Sequence, residues 1–295
     1  MAYPVIDAPY GFKPINRLDG LPYAGAVRQL PIANAYNQNI FYGDIVQISG
    51  GTIVRSSMSA ASSPGTAVAG TIGVFLGCQY TNPTTGQFQF NQYYPASTAA
   101  NDIEAFIVDD PRALMKVVVT TQSTSLANTG TTVGYLNPYY VGSNLYQIGG
   151  AGGVTGSTTT GNSKFSVSGA VITSGTAGAG DRVTSALPWR MVGVVPETAV
   201  TLTGTLSSSA VSSSATVVLA AAVTGLTPGM QLICPTGTGT LAGNYATVIN
   251  VATTTLTLNA AVTLAASSSL TFVGYPEVLV AWNGSFHSYN NTTGV

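Results

Sequence analysis

The 295-residue sequence predicts a mainly-β protein: a β-barrel or β-sandwich main domain, an extended N-terminal arm and an inserted small β-sandwich domain. Three observations predict it. Apolar residues recur with a period of two in short runs, turn residues break the chain between the runs, and no stretch carries a capped amphipathic helix. The composition agrees: 45% of the residues are hydrophobic and 6% are charged, against roughly 25% charged in an average domain. Disordered chains are poor in apolar residues, so low charge here means a folded protein with neutral surfaces rich in hydroxyls and amides.

Residues 1–25 form the expected arm. Pro4, Pro9, Pro14 and Pro22 forbid a helix there. Tyr3, Tyr10 and Phe12 give the arm rings to bury, against its own domain or a neighbouring subunit. Residues 26–198 together with 274–295 are assigned to a discontinuous main β domain. Within it, NIFYGDIVQI and GTIVRSS flank Gly50-Gly51, a hairpin signature. TIGVFLGCQY and GQFQFNQYYP flank TNPTTG, a second hairpin, and Phe88 and Phe90 alternate with Gln87 and Gln89. IEAFIV and LMKVVVTT flank DDPRA, which predicts a third. Residues 149–181 are rich in Gly, Ser and Thr and read as loops or long exposed turns, and a strand follows over 191–195.

Between Glu197 and Glu277 there is no charged residue. Thr and Ser alternate there with Val, Leu and Ile, punctuated by Gly225, Pro228-Gly229 and Gly243. This pattern predicts an inserted β module over 199–273, with the last strand rejoining the main domain.

The chemistry is as sparse as the charge. A formal net charge of -1 supplies no basic field for nucleic acid or lipid headgroups. No run reaches the ~18 apolar residues of a transmembrane helix, and the first residues lack the basic and apolar regions of a signal peptide, so folding in a cytoplasm is expected. Cys78 and Cys234 are too few and too far apart for a disulfide framework and read as buried free thiols. His287, the single histidine, cannot build a histidine metal site, and no serine sits in a Gly-x-Ser-x-Gly elbow. The tract GGAGG lacks the Lys-Ser/Thr of a phosphate loop. No catalytic residue, cofactor or metal is therefore expected.

Asp109-Asp110 is the pair that an acid/base enzyme would use. Neighbouring strand residues point to opposite faces, so the two carboxylates do not converge on one substrate. Asp102 and Glu104 lie nearby, but the oxygens have no calcium-loop spacing. Asp-Asp-Pro-Arg reads instead as a hairpin turn. In it an Asp caps backbone amides, Pro111 presets φ, and Arg112 pairs with one of the aspartates within the chain or across a subunit boundary.

Several segments resemble small structural proteins of tailed bacteriophages, the capsid decoration or cement proteins encoded near the major capsid protein. The matching pieces are APYGFKPINRLDGLPYAG (8–25), NAYNQNIFYGDIVQI (34–48), GVFLGCQYTNPTTGQFQFNQYYPAS (73–97), AFIVDDPRALMKV (105–117) and YPEVLVAWNGSFHSYNNTTGV (275–295). The module resembles small β domains of phage and bacterial surface proteins, through AAVTGLTPGMQL and TVINVATTTLTLNAAVT. The resemblance implies a virion structural protein, folded in the host cytoplasm, that binds the outer capsid surface and stabilises it across capsomer boundaries. Its implied partners are the major capsid protein and further copies of itself, a homotrimer being the expected assembly, with no nucleic acid and no membrane. Tyr3, Pro4, Tyr10, Phe12, Pro14, Asp109, Asp110 and Arg112 are the expected capsid or subunit contacts. The alternative is a virion surface adhesin or fibre-like module that binds a host surface polymer. The module's lack of Trp, and a single Tyr at 245, count against an aromatic platform for sugars.

Overall fold

The computed structural model describes residues 9–22, 25, 27–56, 70–120, 141–145, 147–148, 156–168, 187–195, 198, 201–233, 239–241, 245–274 and 276–290. Tyr3, Pro4, Cys234 and most of the Gly/Ser/Thr-rich tract lie outside these residues. The protein is mainly β. Among the described residues the helical content is confined to 3₁₀ turns, including Gly284–Phe286 and Ser288–Asn290.

Two sheets build the main domain. The first contains β1 (Lys13–Arg17), β8 (Ala113–Thr120), β9 (Asn144–Leu145), β10 (Gln147–Ile148), β11 (Ser166–Ser168), β12 (Trp189–Val194) and β20 (Glu277–Trp282). Its order is β10-β11-β8-β20-β12-β9, with β1 added to β8. The second contains β2 (Arg28–Pro31), β3 (Ile45–Ser49), β4 (Thr52–Arg55), β5 (Thr71–Thr81), β6 (Phe88–Asn91) and β7 (Glu104–Val108), in the order β2-β7-β5-β3-β4 with β6 added to β5. Gly50 and Gly51 both adopt positive φ (57° and 81°), which the tight β3–β4 hairpin requires.

The two sheets share one core. Ile45, Val74 and Val108 of the second sheet pack with Met115, Val117, Trp189, Met191, Val278 and Val280 of the first. The other face of the second sheet carries a separate core of Ile53, Phe75, Ala105 and Ile107, closed over by Ile32, Ile40, Tyr94 and Ile103. Covered on both faces, β5 is buried almost continuously from Thr71 to Tyr80, as its unbroken TIGVFLGC run requires.

Residues 9–22 lie against the chain's own domain, one of the two places expected for the arm's rings: β1 pairs antiparallel with β8, and Phe12 is fully buried in the shared core. Proline is tolerated at Pro14 because β1 is an edge strand with a register shift between Pro14 and Asn16.

DDPRA differs from a hairpin. A turn is present, with the Ala113 amide donating to the Asp110 carbonyl at 3.0 Å. The strands it joins, however, belong to different sheets: β7 pairs with β2 and β5, whereas β8 pairs with β1, β11 and β20. Sequence adjacency suggested pairing, but the turn carries the chain from one sheet of the sandwich to the other.

The remaining strands are β13 (Thr201–Thr205), β14 (Val211–Val218), β15 (Gln231–Ile233), β16 (Gly239–Leu241), β17 (Tyr245–Ala252), β18 (Thr255–Leu264) and β19 (Ser269–Val273). They form one sheet, β13-β19-β15-β17-β18-β14 with β16 on β18, around their own core of Leu206, Leu232, Val248, Leu256, Leu258, Val262 and Phe272. On β18 Leu256, Leu258, Val262 and Leu264 point inward while Thr257, Asn259 and Thr263 face out. The sheet curls until its edge strands meet at Leu206 and Leu219, with the Ser207 amide on the Val218 carbonyl at 2.9 Å. The result approaches a closed barrel where the sequence predicted a two-sheet sandwich, and closure leaves fewer open edges. The sheet hangs from neighbouring strands: β12 runs into it and β20 leads out, paired as far as Val194 and Val278, with the Val195 amide on the Glu277 carbonyl at 3.0 Å.

Candidate functional site

The described chain starts at Pro9, and the next residues are held from every side. Gly11 sits at φ +85°, and a Cβ there would lie 2.6 Å from the Ser163 Cβ and 2.7 Å from the Gly43 carbonyl oxygen. Only glycine fits so close an approach at that φ. The Phe12 amide donates to the Gly43 carbonyl at 3.0 Å and the Gly11 amide to the Phe165 carbonyl at 3.1 Å. The Phe12 ring stacks on Trp189 with centroids 4.3 Å apart, and Trp189 packs on Trp282 at 4.1 Å. From Trp282 the contacts run on to His287 at 5.3 Å and Tyr289 at 5.1 Å. One chain of rings thus ties the first described residues to the last through the core.

Tyr10 makes the polar half of this clamp. Its hydroxyl donates to Oε1 of Glu277, a carboxylate that is itself buried and pairs with Lys116 Nζ at 3.1 Å. Lys13 Nζ lies 4.1 Å from the centre of the Tyr10 ring, a cation–π contact. Burial, then the Glu277 hydrogen bond, pushes the Tyr10 phenol well above its usual range, so it stays a donor. Burial and then the Lys116 charge lower the Lys13 ammonium, while Glu277 opposes them.

Beneath Gly43 lies Asp44, fully buried. Its Oδ2 accepts from the Phe41 amide at 2.9 Å, and its Oδ1 has no well-formed hydrogen bond. Burial raises this carboxyl to about 7, against the weaker pull of the Phe41 amide, the Ser163 hydroxyl and the Arg55 charge.

The two aspartates of DDPRA take opposite partners. Asp109 Oδ2 accepts from the Tyr289 hydroxyl at 2.7 Å and pairs with Arg28 of β2 at 3.3 Å. Asp110 Oδ2 pairs with Arg17 of β1 at 3.1 Å, while its Oδ1 accepts from the Arg112 amide at 2.8 Å. Each carboxylate therefore holds an arginine from a different sheet, across the corner where the chain changes sheets. Asp110 caps a backbone amide as the sequence predicted, but within the chain the cations are Arg17 and Arg28, and Arg112 is exposed. Asp102 and Glu104 are engaged by Thr81 and Gln79 respectively. Among the described residues no group of acids, histidine or cysteine is arranged to hold a metal ion, and no helix is long and apolar enough to cross a membrane.

His287 is fully buried between Trp282 and Tyr289, and its Nδ1 accepts from the Tyr289 amide at 3.2 Å. Burial lowers its imidazolium below the usual range. Cys78 is a buried free thiol, pushed up to about 12 by burial.

Of the contacts expected from the sequence, the structure gathers Tyr10, Phe12 and Pro14 on the chain's own main domain and places Asp109 and Asp110 at the corner beside it. The residues that complete the clamp, Gly11, Gly43, Trp189 and Glu277, carry no local signal in the sequence, because their role depends on segments far apart in the chain. Comparison with protein families, curated proteins and solved structures finds no match for this chain.

Proposed function

We propose that the protein is a virion structural protein that docks on the outer surface of a tailed-phage capsid and cements it across capsomer boundaries. The observation that supports this reading best is the clamp at the base of the N-terminal segment. A docking segment must transmit binding energy to the fold, which requires that the residues following it be firmly held. Here residues 10–13 carry a locked glycine, a stacked Phe12–Trp189–Trp282 column and a Tyr10–Glu277–Lys116 network centred on the buried Glu277 carboxylate. Such an anchor lets force or binding energy on residues 1–8 reach the fold directly. The aspartates of DDPRA add nothing to this reading, since arginines of the same chain pair with both and leave no need for a partner's cation.

The test is co-sedimentation of the purified protein with expanded capsid shells that lack it. The parent chain is expected to pellet with the shells. A chain lacking residues 2–8 should stay in the supernatant with an unchanged far-ultraviolet circular dichroism spectrum, because the deletion stops short of Tyr10, Phe12 and β1. A parent chain that ignores shells but binds host cells would replace this reading with the adhesin.

A further inference from the structure

The hairpin strand β6 has its apolar face on the outside. Phe88 and Phe90 are 58% and 68% exposed, while Gln89 and Asn91 turn toward the protein, Asn91 Nδ2 donating to the Tyr80 hydroxyl at 2.7 Å. The rings form a continuous strip: Phe88 meets Phe90 edge-on at 5.2 Å, and Phe90 stacks on Phe106 at 6.2 Å. The second sheet outruns its cover there, since the shared core ends at the half-buried Leu76. Among the described residues β6 pairs with β5 alone, so its other edge is open. It also carries none of the charges or prolines that usually guard an open edge.

We propose that this edge pairs with the same edge of a second copy of the chain, antiparallel and two-fold symmetric about Gln89. The backbone directions support that register. The Asn82 amide donates to the Gln87 carbonyl at 2.8 Å, which makes 82 and 87 a hydrogen-bonded pair. By alternation Tyr80 and Gln89 form another, so the amides and carbonyls of Phe88 and Phe90 point to the open side. Phe-Gln-Phe reads the same in both directions. A two-fold axis at Gln89 therefore sets Phe88 opposite the partner's Phe90 and Phe90 opposite the partner's Phe88, each pair exchanging both backbone hydrogen bonds. The rings become cross-strand neighbours on one face. The strip is uncharged, so a second copy meets it without like-charge repulsion.

The area limits the strength. With about 200 Å² for a fully exposed Phe, the two rings offer roughly 250 Å² per copy. That is well short of the ~1,200–2,000 Å² total of a stable interface, so the contact is weak in solution and acts when other attachments hold copies close together. It is two-fold, and so is additional to any three-fold ring. It does not rest on capsid binding.

Sedimentation equilibrium up to several hundred micromolar, without shells, tests it. The parent chain is expected to show a weak monomer–dimer equilibrium. Phe88→Glu alone and Phe90→Lys alone should each weaken association by about tenfold or more, since both side chains are exposed and the fold does not depend on them. An equimolar mixture of the two variants should restore dimers, because one end of the heterodimer then sets Glu against Lys and the other keeps Phe against Phe. A parent chain that stays monomeric throughout overturns the proposal, as it would if residues 1–8 or a shell protein cover the strip instead. So does association that survives both substitutions, or a mixture no better than either variant alone.

Discussion

Asp44 is a carboxyl placed where its charge is costly, and that cost sets the pH dependence of the clamp. The group is fully buried and titrates near 7 instead of near 3.8. The native state therefore holds a proton between about pH 4 and pH 7 that the unfolded chain has released. Stability must fall as pH rises through that window. About three pKa units at 1.36 kcal/mol each give an upper figure of about 4 kcal/mol between full protonation and full ionisation, which water penetration and relaxation reduce. His287 acts in the opposite sense: its lowered imidazolium means stability is lost as pH falls through and below 6.5. The difference between parent and Asp44→Asn isolates the carboxyl. Urea unfolding at pH 5 and pH 8, followed by tryptophan fluorescence from the Trp189–Trp282 pair, is the assay. The variant keeps an oxygen for the Phe41 amide and carries no charge at any pH. Relative to the variant, the parent should lose about 1.5–2.5 kcal/mol between pH 5 and pH 8, the part of the upper figure that falls in this window. Parallel curves for the two proteins would refute the buried-carboxyl argument.

Two further outcomes follow from the same geometry. Gly11→Ala should cost roughly 2–4 kcal/mol, from the positive φ together with the 2.6 Å approach to Ser163. Gly20→Ala, at φ +81° with nothing within 4 Å, should cost about 1–2 kcal/mol in the same unfolding assay, and equal losses would show that crowding at Gly11 is relieved by movement. At the corner, Asp110→Asn should lose about 0.5 kcal/mol with the half-exposed Arg17 pair, whereas Asp110→Ala should lose about 1–2 kcal/mol because the Arg112 amide loses its cap as well. A double-mutant cycle with Arg17→Ala separates the two contributions.

The fold class was readable because it depends on local rules. Alternation of period two, turn residues and the absence of helix caps act within a few residues, and the Gly50-Gly51 hairpin depends on nothing else. DDPRA could be read as a turn capped by one of its aspartates for the same reason, though which one, Asp110, only the structure shows. Its role as a sheet-crossing corner could not, since β7 and β8 find their partners in segments distant in sequence. The Phe12–Trp189–Trp282 stack and the Tyr10–Glu277 contact likewise join residues separated by most of the chain.

The clearest division falls on β6. Its sequence by itself determined that Phe88 and Phe90 share one face and Gln89 and Asn91 the other, because strand side chains alternate. Which face meets water was decided by the tertiary structure alone. The first sheet stops short of the hairpin, and the polar side chains turn inward to meet Tyr80 and Asn82. Periodicity sets which residues stand together, but only packing sets what they stand against.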